Sequence, residues 1–91
     1  MEFEWDPKKA EANVRKHGVS FAEAGSIFGD PASATAHDPD HSAGEHLYIT
    51  VGLSNKGRLL MVSHVDRHGR VRIISARKLT RTERRTYEET Q

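Results

Sequence analysis

Cysteine is absent from the 91 residues, which excludes disulfide staples and thiolate-bound zinc and fits a reducing compartment. Aromatic residues are scarce, with one Trp, two Tyr and three Phe, so selectivity for bases through stacking is limited. No apolar run approaches the roughly 20 residues that span a bilayer, and the opening "MEFEWDPKK" lacks a signal peptide's apolar centre. A cytoplasmic chain with no membrane attachment is the expectation. Repeats, low-complexity tracts and internal boundaries are missing as well. Residues 1–91 therefore read as a single domain with a modest core.

What is present is charge, unevenly placed. The formal net charge is +1, yet residues 1–55 sum to −5 and residues 56–91 to +6. The densest stretch is "RVRIISARKLTRTERR", residues 70–85, with seven Arg or Lys in sixteen positions and Glu83 as the only acid. Arginines without counterions repel one another, so the cluster predicts an anionic partner on one side of the molecule. A solvated charged surface is the plainer alternative.

The periodicity predicts an α+β fold: an antiparallel sheet, two N-terminal helices packed on one face, and a short C-terminal helix. "EFEW" alternates like a short strand. Asp6 before Pro7 is a helix start, and "PKKAEANVRKH" then places Ala10, Val14 and His17 on one face up to a left-handed stop at Gly18. Ser20 and Glu23 form a capping-box pattern for a second helix carrying Phe21, Ala24, Ile27 and Phe28. Thr80 and Glu83 repeat the pattern for the last helix. Residues 31–46 read as a polar connection with room for a brief extended piece. Three strands follow, "LYITVGLS", "RLLMVSHV" and "RVRIISA", linked by Asn55-Lys56-Gly57 and Arg67-His68-Gly69. Read as three-residue hairpin loops, these set Leu53 opposite Leu59, Val51 opposite Met61, Val65 opposite Val71 and Ser63 opposite Ile73. That register assigns Leu47, Ile49, Val51, Leu53, Leu59, Met61, Ser63, Val65, Val71 and Ile73 to the helix-covered face. Tyr48, His64 and Arg72 become a row on the opposite, open face.

Several residues are suited to chemistry on such a frame. Arg72 projects from the sheet, Arg77 and Lys78 stand where the strand ends, and Arg81 lies in the first turn of the last helix. Guanidinium forks grip phosphate oxygens bidentately and stabilise charge that builds on phosphorus. Arg84 and Arg85 read as a solvated helix face, with Arg84 and Glu88 an ordinary i,i+4 pair. His64, the one strand histidine, titrates near neutral pH and suits proton transfer, though a packed histidine with a satisfied hydrogen bond fits the same position. His17 ends a helix, where partial positive charge is favourable in itself. "HDPDHSAGEH", residues 37–46, offers imidazoles and carboxylates but no helical i,i+4 frame, so no metal site and no cofactor are expected. Glu45 and His46 are left as possible proton acceptors.

"EWDPKKAEANVRKHGVSFAEA", then "GRLLMVSH", then "RIISARKLTRTERRTYEE" resemble the BrnT toxins of bacterial type II toxin–antitoxin pairs, over almost the whole chain. The resemblance implies a RelE-like fold and a ribonuclease that halts translation. It also implies a BrnA-type DNA-binding antitoxin, in a complex of two toxins and two antitoxins that touches DNA only through the antitoxin. Family positions that map here are Arg58, Arg77, Glu83 and Tyr87, while His46 stands where many relatives carry an arginine.

Together these readings lead to metal-independent RNA cleavage, in which a ribose 2′-hydroxyl attacks the adjacent phosphorus. Arg77 and Arg58 are expected to stabilise the phosphate, His64 to move the proton and Glu45 to act as a weaker base. Lys56, Arg72, Lys78, Arg81 and Tyr48 are expected to hold the RNA. The competing readings are a non-catalytic module that binds nucleic acid or the ribosome through the same cations, and a metal hydrolase built on residues 37–46. Cleavage in excess EDTA separates them.

Overall fold

The structure, a computed structural model, describes residues 1–38 and 46–90. A five-stranded sheet is built from β1 (Glu2–Glu4), β2 (Ala34–His37), β3 (Leu47–Leu53), β4 (Leu59–Arg67) and β5 (Arg70–Lys78), in the order β1-β5-β4-β3-β2. All neighbours are antiparallel except β1, which lies parallel to β5. The helices are α1 (Pro7–His17), α2 (Phe21–Ser26), which runs on into a 3-10 turn at Ile27–Gly29, and α3 (Arg81–Glu89). Among the described residues no helix is long and apolar enough to cross a membrane.

Local chemistry explains the boundaries. The Asp6 side chain accepts from the Lys8 amide at 2.8 Å, and Pro7 opens α1. Gly18 closes the helix at φ 70°, in the left-handed region that favours glycine, with its N–H on the Val14 carbonyl. The inward face of α1 differs from the expected one: Val14 is 48% exposed, whereas Asn13 is buried. Asn13 is drawn in because its amide completes the sheet edge. β1 reaches only Arg70–Arg72, and beyond it Asn13 Nδ2 donates to the Ala76 carbonyl (2.8 Å) while Ala76 N–H donates to Asn13 Oδ1 (3.1 Å).

The first hairpin has the expected register, from Leu47↔Val65 to Leu53↔Leu59, with Gly57 left-handed at φ 74°. The second does not. Its turn has two residues, His68 (φ 52°) and Gly69 (φ 80°), flanked by the pair Arg67↔Arg70. Positive φ at both central positions suits the strand twist, and His tolerates this region better than branched residues do. Val65 therefore faces Arg72. A bulge follows: Ser63 pairs with Ser75 but His64 pairs with Ile73, leaving Ile74 as the extra residue.

Along β3 and β4 the covered face is also the reverse of the one expected, whereas Val71 and Ile73 of β5 are covered as expected. The core joins Val19, Phe21, Ala24 and Ile27 from the helical layer to Leu60, Val62, Val71, Ile73 and Ala76 of the sheet. Phe3, Trp5, Ala10 and Phe28 pack around it. His64 and Thr50 lie on this buried side. The alternate set, Leu47 to Val65, forms the helix-free face, where only Val65 of that set is fully buried. β4 is apolar on both sides, so its pattern alone does not choose between faces. Backbone proximity does: a Cβ on Gly52 would stand 3.2 Å from the Ile27 carbonyl oxygen and 3.0 Å from the Ser33 Cβ. The 3-10 turn can cross β3 only over a residue without a side chain.

Candidate functional site

On the helix-free face a groove of about 440 Å3 runs over β3, β4 and β5. Leu47, Ile49, Met61 and Ile74 give it an apolar floor, and Ser63, Ser75, Arg77, Asp38 and His17 give it polar walls. The bulge and the helix end create this arrangement. Because Ala76 points into the core, Arg77 turns outward beside its cross-strand partner Met61. His17, one helical turn beyond Asn13, comes to the edge of β5 because Asn13 fastens α1 there.

Arg77 is held from its own chain. The Thr80 hydroxyl accepts from the Glu83 amide (3.2 Å) and Glu83 Oε1 accepts from the Thr80 amide (2.9 Å), so the capping box expected for α3 is complete. That box aims Glu83 back at Arg77, and the two form a bidentate pair at 2.7 and 2.9 Å. Arg77 also donates to the Lys78 carbonyl (3.2 Å), and its Nη2 lies 3.2 Å from Met61 Sδ. Among the described residues its Nε–H has no partner. The Arg77 guanidinium, aided by the Thr80 amide, pulls the Glu83 carboxyl down to about 2, and Glu83 in turn raises Arg77.

The other expected site residues lie elsewhere. Arg58 clamps α2 to the first hairpin: it forms a double contact with the buried Glu23, its Nε donating at 2.9 Å, and donates to the Gly18 carbonyl at 3.1 Å. Glu23 also accepts from the Ser54 hydroxyl at 2.7 Å, and the Arg58 bond lowers its pKa against the cost of burial. The expected row of Tyr48, His64 and Arg72 does not form. Arg72 is on the helix-free side, paired to Glu4 at 2.8 Å, while Tyr48 and His64 are on the covered side with ring centroids 5.9 Å apart. His64 is 4% exposed, edge-on to Phe28, with Nε2 2.7 Å from the Thr50 hydroxyl. Its Nδ1 has no hydrogen-bond partner among the described residues. Burial lowers its pKa, with Asp66 opposing. An open, solvent-fed histidine is thus not what the structure provides at position 64. Lys56 is exposed in the first hairpin loop, and Lys78 and Arg81 are exposed around the start of α3. Glu45 lies outside the described residues, as does most of the 37–46 stretch read for metal ligands. Among the described residues no group of three or more His, Cys, Asp or Glu could hold a metal ion.

The electrostatic expectation is met only in part. Arg58, Arg70, Arg72 and Arg77 each hold a carboxylate of this chain, from Glu23, Glu2, Glu4 and Glu83 respectively. The acids of β1 lie beside β5, a pairing that spans 68 positions and leaves no local trace. Lys78, Arg81, Arg84 and Arg85 carry no ion pair among the described residues, which leaves one group of unpaired cations on and just before α3. Two groove residues were not picked out as site residues by the sequence reading, which took His17 as a helix end and did not single out Ser75. His17 shows only a helix-end position, and Ser75 shows nothing until the bulge turns it outward. Glu83 was legible as a cap, and its spacing of six from Arg77 across a strand-to-helix turn was the usable hint.

Comparison with known proteins supplies what geometry alone does not. Residues 5–83 match the family model described as "Ribonuclease toxin, BrnT, of type II toxin-antitoxin system". The crystal structure of the Brucella abortus ribonuclease toxin BrnT has a similar fold, with a TM-score of 0.66 at 20% identity, covering 89% of this chain and 99% of that one. A search of curated proteins finds no match. With a five-stranded sheet, three helices and a family match over most of its length, this chain belongs to the BrnT family, the RNA-cleaving toxins of type II toxin–antitoxin systems.

Proposed function

We propose that the groove on the helix-free face is where RNA is cut, without a metal ion. The supporting observation is that Arg77 and His17 line one open groove on the side of the sheet that the helices leave bare. In the proposed reaction a ribose 2′-oxygen attacks the neighbouring phosphorus and the bond to the 5′-oxygen breaks. A cyclic 2′,3′-phosphate and a 5′-hydroxyl result. The His17 imidazole takes the hydroxyl proton, and the departing oxygen regains one from solvent or from the same ring. Arg77 faces the phosphate, offering its free Nε–H first and its Glu83-bound nitrogens by exchange of carboxylate for phosphate. Lys78 and Arg81 carry the RNA backbone toward the groove. His64, Arg58 and Tyr48 serve the fold, and Arg72 is tied to β1.

Cleavage of messages would inhibit translation in the cytoplasm. The antitoxin that type II systems pair with such a toxin would be of the BrnA type, two copies with two toxins, covering this groove. The test uses tag-free protein and end-labelled RNA in excess EDTA. Cleavage with a cyclic phosphate product, slowed in Arg77→Ala and in His17→Ala, is expected. Parent-like cleavage by Arg77→Ala would remove Arg77 from the site. RNA bound but uncut would favour a binding module built on the unpaired cations of α3.

A further inference from the structure

The row that does cross the sheet on its covered side is His37, Tyr48 and His64, one residue from each of β2, β3 and β4. His46, two residues before Tyr48 on the same side of the chain, falls diagonally beside His37. The rings form a continuous series: His46 to His37 at 5.4 Å, His37 to Tyr48 at 5.6 Å, Tyr48 to His64 at 5.9 Å and His64 to Phe28 at 5.0 Å. The inner end is buried and the outer end is exposed.

At that exposed end His37 Nε2 and His46 Nδ1 are 3.5 Å apart. The gap is long for a hydrogen bond, whose donor and acceptor normally sit within about 3.2 Å. It fits a shared metal better. Two imidazole nitrogens each about 2.05 Å from one ion at a tetrahedral angle stand about 3.4 Å apart. Imidazole pairs suit zinc, copper and nickel rather than magnesium or calcium. The Tyr48 ring lies edge-on against the His37 imidazole.

From this geometry we propose that His37 and His46 form a two-histidine chelate for a divalent late transition metal. The site is separate from the groove, since Asp38 and Leu47, the chain neighbours of these histidines, turn to the helix-free face. It does not depend on the proposed cleavage mechanism. A bound ion would tie the end of β2 to the start of β3 and stabilise the folded chain by mass action.

The experiment uses metal-stripped, tag-free full-length protein, titrated calorimetrically with zinc chloride and nickel chloride, with melting followed in parallel. One ion per chain and a zinc-dependent rise in Tm are expected, with affinity at least tenfold weaker in His37→Ala and in His46→Ala. Both positions are exposed, so far-UV circular dichroism should report an intact fold, and His17→Ala should bind as the parent does. No stoichiometric binding by the parent, or parent-like affinity in either variant, would overturn the proposal.

Discussion

The two faces of the sheet are made from the same strands and do opposite work. On the covered face β4 presents Leu60, Val62 and His64, all buried, and polar groups there bond one another: His64 Nε2 to Thr50, Thr50 to Thr35 at 2.7 Å. On the bare face the alternate residues Leu59, Met61 and Ser63 stay half-exposed beneath a groove with an arginine at its margin. Burial separates a side that stabilises from a side free to meet a ligand, and alternation along one strand is enough to do it.

Adjacent leucines offer the strongest way to break that contrast. Leu60→Ala should cost about 2–5 kcal/mol, whereas Leu59→Ala should cost about 1 kcal/mol or less, as read from denaturant midpoints. Equal losses would mean the faces are not differently packed. Arg77→Ala inverts the test: cleavage should fall about tenfold to a hundredfold while the melting temperature barely moves, because a half-exposed ion pair contributes under about 1 kcal/mol. Gly52→Ala belongs wholly to the covered side. Its methyl would press on Ile27 and Ser33, so about 1–3 kcal/mol of stability should be lost with the groove chemistry intact.

Acid should act on the two faces in sequence. Burial holds His64 below its ordinary 6.5, so protonation favours the unfolded chain. Its stabilising contribution is complete above 6.5 and declines as pH falls from there toward the folded value. Glu83 is likewise depressed, and its contribution is complete above 4.5 and lost only on the way down to about 2. Melting temperatures should therefore fall first below pH 6.5, with a slope flattened by His64→Gln, and further below pH 4.5, where Glu83→Gln flattens it. A His64→Gln profile matching the parent between pH 7 and 5 would contradict the burial account. The smallest effect concerns the unpaired cations. Replacing Arg81 and Arg84 by Ala should lower the slope of log affinity for single-stranded RNA against log salt by about 0.7 each, and replacing the Glu4-bound Arg72 should change it less.

Much of the frame was legible because it is local. Asp6-Pro7, Gly18, the Thr80 capping box and the first hairpin depend on residues within a few positions of one another and formed as read. Ser20 caps α2, but its expected box partner Glu23 turns to Arg58 and Ser54. The covered face of β3 and β4 was misread because β4 is apolar on both sides, and the second hairpin because its two-residue turn sets the apolar Val65 opposite Arg72, a pairing that side-chain chemistry argues against. The site suffered most. Carboxylates 35 and 68 positions distant neutralise Arg58 and Arg72, and no spacing announces such meetings.

Ile74 has one more consequence. By adding a single step midway along β5, it makes the strand change parity, so the half nearest the turn and the half nearest α3 obey opposite rules about which odd or even positions look outward. A chain shortened by that one residue would swing Arg77 toward the hydrophobic interior and Ala76 toward water. Deletions there should accordingly be far less forgiving than deletions in any loop.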